Sequence, residues 1–352
     1  MIKLFQDIFV FLYSFFLKKD KIFFCENAYT FEYLKPIIEN QLLKKNKSKI
    51  SVISHKKINL NKNKFNEIHF NYDFFLEFFF LTLNSNYIYS TTPGLGENLF
   101  KKSLFNKSAK YIYIQHSNIS LTMGYHQNAF INFDAIQVIN SYQNNEAQLI
   151  RDKYKKRFKI FKSKYYYLKK FTKNENSSSK KIDFLIAPTW NTNFFANKIY
   201  LKIINQIAKK NFSYLLRPHP MSFKKKEISY EELNNNNIMF DTKSKVDLTK
   251  YRFLVSDWSG IFIEFFLVNG IKSILFNTTP KVLNKNFEYY RKTPIEIDLR
   301  KYISVVFEHD NLKEFDKLLS QLENNELEIL QITDSIKEKC SSIFYENRLL
   351  DK

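Results

Sequence analysis

YRFLVSDWSGIFIEFFLVNG, residues 251–270, reads as strand, turn, helix and stop. Tyr251 to Ser256 is a short run rich in aromatic and branched residues. The nearly continuous apolar stretch behind it is closed by Asn269 and Gly270, residues that end helices. A strand that feeds straight into a buried helix is the repeating unit of a parallel α/β sheet. Ser256, Asp257 or Ser259 is placed to cap the helix, and the amide groups at its start form a site for a phosphate. Glu264 sits among apolar neighbours, where a carboxylate is costly without a partner, and a ribose hydroxyl would serve as one. A helix that is merely buried and capped would show the same serines.

The same alternation extends in both directions. KIDFLIA (Lys181 to Ala187), a helix from Phe194 to Lys210, FSYLL (Phe212 to Leu216) and KSILFN (Lys272 to Asn277) surround the unit. Phe195, Ile199, Ile203 and Ile207 recur every fourth residue, which predicts one buried helical face. Upstream, strands are expected at Lys21 to Glu26, Ser48 to Ser54, Asn86 to Thr91, Lys110 to Gln115 and Asp134 to Asn140. Helices are expected at Ala28 to Lys44 and Asp73 to Leu83. The run KKFTKNENSSSKK is polar apart from Phe171 and suits an exposed connection. The expected organisation is therefore an α/β domain over 1–168, a linker over 169–181, a second α/β domain over 182–310 and a helical tail over 311–352.

At 352 residues the chain exceeds one ordinary core, and 44% hydrophobic residues exclude a mainly disordered protein. Lys and Arg number 55 against 35 Asp and Glu, a net charge of +20 that favours phosphates, acidic polymers or anionic headgroups. Cys25 and Cys340 stand far apart with no CxxC spacing, which indicates neither a zinc site nor a disulfide framework. No DxD occurs, the nearest approach being Glu296-Ile-Asp298, and neither a metal nor another cofactor is expected. The opening MIKLFQDIFVFLYSFFLKK has an apolar run from Ile8 to Leu17, too short to span a bilayer, and lacks a small-residue cleavage site. Retention of this segment is expected, with residues 1–19 lying against headgroups or packing on the protein.

Ligands of open α/β sheets bind beyond the carboxyl ends of the strands. In LLRPHP, Pro218 and Pro220 hold Arg217 and His219 extended just past a strand, so the imidazole is presented at the sheet edge. In IAPTWNTN, Thr189 is placed to meet a phosphate and Trp190 to line a cleft or fill core. In YIYIQHSNIS, His116 follows a strand of the first half; His126, without such placement, reads as structural.

The order APTW, RPHP, SDWSG with FIEFF, then KSILFN resembles the CDP-glycerol glycerophosphotransferase family, which includes teichoic-acid polymerases. The resemblance covers most of residues 110–280. It implies a GT-B-like fold of two Rossmann-like domains with a cleft between them, an acceptor-side first domain and a donor-binding second domain. His219 matches the histidine of the family's HP motif; Ser256, Asp257, Ser259 and Gly260 match its phosphate loop, and Glu264 its following acidic residue. His116 matches the histidine of a tryptophan-histidine-glycine motif. Here QHS replaces that triplet, and DWSG replaces aspartate-tyrosine-serine-serine.

The implied activity is transfer of glycerophosphate or a related group from a CDP-linked donor to a hydroxyl of a surface glycan or polyol-phosphate chain. His116 is the expected base and His219 the group that stabilises charge on the diphosphate. Arg217, Thr189, Ser256, Asp257, Ser259, Gly260 and Glu264 are the expected donor-binding residues. The expected setting is the cytoplasmic face of a membrane, in cell-envelope or capsule synthesis. One alternative is a Leloir glycosyltransferase using a nucleotide sugar. Another is a basic binder of acidic polymers, although no nucleic-acid-binding signature is present and no nucleic-acid partner is expected.

Overall fold

The computed structural model describes residues 2–15, 19–44, 50–171, 182–243 and 246–345. The chain divides into two compact units: Met1–His116 with Tyr125–Lys169, and Ser117–Gly124 with Lys170–Lys352. The expected linker falls mainly on residues 172–181, which lie outside the described residues. The short stretch Ser117–Gly124, read from sequence as part of the first half, packs with the second.

The first unit begins with helix α1 (Ile2–Phe15). Then follow β1 (Lys19–Cys25), α2 (Ala28–Lys44), β2 (Ile50–Ser54), β3 (Phe65–His69), α3 (Asp73–Thr82), β4 (Ser85–Ser90), β5 (Lys110–Tyr113), β6 (Ala135–Val138), α4 (Ser141–Lys153) and β7 (Lys159–Lys162). Its seven strands are all parallel, in the order β3-β2-β1-β4-β5-β6-β7. The chain winds outward from β1 through β2 to β3, then returns to the other side of β1 at β4. That reversal is the topological switch point of a doubly wound sheet.

The second unit comprises β8 (Ile182–Ile186), α5 (Ile199–Lys209), β9 (Tyr214–Leu216), α6 (Pro220–Lys224), α7 (Tyr230–Asn235), β10 (Tyr251–Ser256), α8 (Ile261–Asn269), β11 (Ser273–Asn277), α9 (Ile295–Arg300), β12 (Ser304–Glu308), α10 (Leu312–Glu323) and α11 (Asp334–Ile343). Its five parallel strands run β12-β11-β10-β8-β9, so this sheet reverses between β8 and β10. The predicted face of α5 is realised: Ile199, Ile203 and Ile207 are buried with Phe195 in the core. The helix nevertheless starts at Ile199 and not at Phe194, because Lys198 takes a left-handed conformation at φ 51° that an α-helix cannot contain. Phe194 and Phe195 are buried from a turn instead.

Gly270 ends α8 at φ 70°, as its type predicts. At the other end of α8 the position expected of a serine or aspartate is taken by Gly260, and no side chain caps the helix within normal bonding distance. The expected helical tail contains α10 and α11. Phe315, Leu318, Leu319 and Leu322 of α10 join the core of the second sheet, so this helix completes the domain.

Candidate functional site

The loops after β8 and β10 flank the switch point of the second sheet, and Asp257 ties them together. Its carboxylate accepts from the Thr189 backbone N–H (2.8 Å) and the Thr192 hydroxyl (3.0 Å), and at longer range from the Thr278 hydroxyl (3.4 Å). Burial pushes the Asp257 carboxyl up to about 6, against the lowering effect of those hydrogen bonds, the Trp258 N–H and the Arg300 charge. Ser256 donates its hydroxyl to the Ala187 carbonyl at 2.6 Å and is fully buried. The side chains of Ser256 and Asp257, expected on a phosphate, are thus engaged in joining one strand end to the next. Thr189 is likewise buried, its backbone N–H held by Asp257.

Arg217 has an internal partner set as well. It donates to Asp241 at 3.0 Å and to the Lys243 carbonyl at 2.5 Å. Glu264 is buried in the first turn of α8, where a carboxylate also complements the helix dipole. Ser117–Gly124 packs closely on Gly260: a Cβ there would lie 2.9 Å from Ile119 Cγ2 and 3.0 Å from Ser117 Oγ. That stretch is held further by Ser120 N–H on Glu296 (2.9 Å), Leu283 N–H on Met123 O (3.0 Å) and Asn284 Nδ2 on Thr122 O (2.8 Å).

The accessible chemistry lies one layer outward. Trp190, His219, Ser259 and Lys281 are all half-buried. The Lys281 ammonium stands 4.6 Å from the Trp190 ring centroid, and the Trp190 and His219 rings are 6.3 Å apart. Burial lowers Lys281 to about 8, opposed by Asp257, Glu296 and Glu227. His219 stands just ahead of α6, and its Nδ1 accepts from the Met221 N–H at 3.1 Å. An Nδ1 that accepts carries no proton, so the neutral ring bears its proton on Nε2. His219 is thereby set up as a donor.

Lys281 and Glu227 escaped sequence reading. Lys281 lies four residues past β11 in a loop without any motif. Only strand order brings that loop beside β10.

In the first unit, His116 follows β5 and is half-buried. Its Nδ1 meets the Tyr113 hydroxyl at 3.0 Å, and the rings of Tyr125, Tyr33 and Tyr113 surround it at centroid distances of 5.9, 6.0 and 6.2 Å. Tyr125 donates to Gln115 Oε1 at 3.0 Å, and the Gln115 N–H is held by Gln137. Burial and the neighbouring Tyr125 raise Tyr113 well above an ordinary phenol, so it remains protonated beside the imidazole. This tyrosine box fixes the ring orientation, a feature not apparent in the sequence. His126 is exposed. Among the described residues no group of three or more His, Cys, Asp or Glu gathers as a metal site, and Glu296 accepts from Ser120.

No protein-family model matches the chain, and no curated protein matches it in sequence. Solved structures do resemble it in three dimensions. A protein assigned as UDP-N-acetylglucosamine 2-epimerase from Listeria monocytogenes matches at a TM-score of 0.52 and 8% identity, over 88% of this chain and 89% of that one. Another UDP-N-acetylglucosamine 2-epimerase matches at 0.51 and 10% identity, over 87% of each chain. The wall teichoic acid polymerase TagF aligns over 93% of this chain and 99% of its own, at 13% identity and a TM-score of 0.47. Identities this low establish the fold alone, that of two Rossmann-like domains of the GT-B class.

Proposed function

We propose that this protein transfers glycerophosphate or a related group from a CDP-linked donor to a hydroxyl of a surface glycan or polyol-phosphate acceptor, in cell-envelope synthesis at the cytoplasmic face of a membrane. The observation that carries donor binding is the half-buried set Trp190, His219 and Lys281 beside the loops at the β8/β10 switch point. An aromatic wall, a fixed N–H donor and a lysine suit a nucleoside diphosphate. Glu227 and Glu296 act by their charges on the same lysine.

The CDP assignment rests on the APTW, RPHP and SDWSG motifs and their order. In this reading Ser259, Gly260 and the start of α8 face the diphosphate, Glu264 serves the ribose, and His219 Nε2–H with Lys281 stabilises charge as it develops. Thr189, Ser256, Asp257 and Arg217 hold the loops in position. His116 takes the acceptor's proton while the acceptor oxygen forms a bond to the phosphorus that carries glycerol. The bond from that phosphorus to CMP breaks, and CMP departs with the electron pair.

The test is a thermal-shift and turnover panel of CDP-glycerol, CMP-sugars and UDP-sugars on the whole chain. A true donor at a hundredfold excess over Kd should stabilise the protein by about 2.7 kcal/mol. CDP-glycerol should do so and release CMP in the presence of acceptor. Stabilisation and turnover by a UDP-sugar alone would move the assignment to a Leloir glycosyltransferase, and no response to any nucleotide would overturn both.

A further inference from the structure

Helix α1 is oriented against the usual pattern of a surface helix. Its polar tether points inward: the buried Asp7 carboxylate accepts from the Asn71 N–H (2.9 Å), Asn71 Nδ2 (2.7 Å) and the Tyr72 N–H (2.9 Å). Phe11 packs on Phe78 of α3, with ring centroids 5.1 Å apart. The outward face carries Ile2, Phe5, Phe9 and Leu12 at helical spacing, exposed by 76%, 63%, 71% and 51%. Phe74 and Phe78 of α3, stacked on each other, extend the ridge. The exposed pair Leu104 and Phe105 follows, tied to the end of α3 by Leu104 N–H on Leu81 O (2.8 Å). Single exposed apolar residues are ordinary, but exposed apolar side chains gathered from three segments in contact mark an interaction surface.

We propose that this ridge docks the protein on an anionic lipid bilayer, with α1 lying in the headgroup region. Among the described residues no helix is long and apolar enough to cross a membrane, and fourteen residues of helix extend about 21 Å, short of the hydrocarbon thickness. The charges select the partner. Lys3 on α1, and Lys102 and Lys107 on either side of Leu104 and Phe105, are exposed. The acidic groups of α3 are already engaged, Asp73 by His55 at 2.8 Å and Glu77 by Lys101 at 3.7 Å. Aromatic rings at headgroup depth with lysines on lipid phosphates form an interfacial anchor. A second copy of this chain, at +20, would bring like charges together across an isologous contact. The inference does not depend on the donor assigned above.

The experiment is co-sedimentation of the full chain with phosphatidylcholine vesicles, with and without phosphatidylglycerol. Binding should be strong to the anionic vesicles, weaker to the neutral ones, and should decline with added salt. Phe5→Glu with Phe9→Glu should lower the partition constant about tenfold or more, as should Leu104→Glu with Phe105→Glu. Because all four positions are exposed, unchanged circular dichroism and melting temperature should accompany the loss. Failure of the wild type to bind anionic vesicles would overturn the proposal. So would unchanged binding in both double variants, or a dimer in sedimentation velocity that the same substitutions dissociate without effect on lipid.

Discussion

Asp257 shows how a residue with the right motif can be engaged by the fold. Wholly buried, its carboxyl is pushed up to about 6 from the ordinary 3.8 of an aspartate. Between those values the native protein holds a proton that the unfolded chain has lost, so this group adds stability as pH falls through that window. Relative to Asp257→Asn, the wild type should gain on the order of 2 kcal/mol on going from neutral pH to about pH 4, read by urea unfolding. Parallel profiles for the two proteins would show that the buried carboxyl is not protonated there. Lys281 carries the opposite shift, lowered to about 8, and so loses its charge just above neutrality. If it meets the donor diphosphate, donor Kd should rise as pH passes about 8, and Lys281→Arg should flatten that dependence because guanidinium stays charged. Calorimetric titration across this range measures both.

At the scale of elements, the start of α8 is defined by how closely Ser117–Gly124 approaches it. Gly260 has an ordinary helical φ of −60°, so it is required for space and not for backbone freedom. Gly260→Ala must displace Ile119 or Ser117, a strain of roughly 1–3 kcal/mol. Faster hydrogen exchange over residues 117–124 and weaker donor binding are the expected results. Wild-type exchange in that variant would show that the approach imposes no constraint. The strands that pattern reading missed share one property. β3, β7 and β12 are all sheet edges, and exposed or half-buried positions dominate all three. A strand covered on one side needs fewer apolar residues, so FNEIH, KIFK and SVVFE carry weak signals.

At the scale of the whole molecule, the two proposed imidazole roles fall in different units, His116 in the first and His219 in the second. Their loss should therefore separate. His116→Ala should keep the nucleotide-induced thermal shift while transfer falls ~10²- to 10⁴-fold, the range expected for removal of a general base. His219→Ala should lower both the shift and the transfer. Equal losses of nucleotide binding in the two variants would reject this division of labour.

The class of architecture is legible in the linear pattern, because strand-and-helix alternation and the helical period of α5 are local properties of the chain. That pattern also put Arg217, His219, Thr189 and the Ser256–Gly260 turn just past strand ends, and all of them lie at the carboxyl edge of the second sheet. Tertiary structure alone decided which of these side chains are engaged internally and which reach solvent. Strand order joins Asp257 to Thr189 and Thr192, seats Ser256 on Ala187, and brings Lys281 from an unmarked loop to Trp190. Partners separated by tens of residues meet only when the sheet assembles, so their hydrogen bonds and desolvation have no counterpart in a linear pattern.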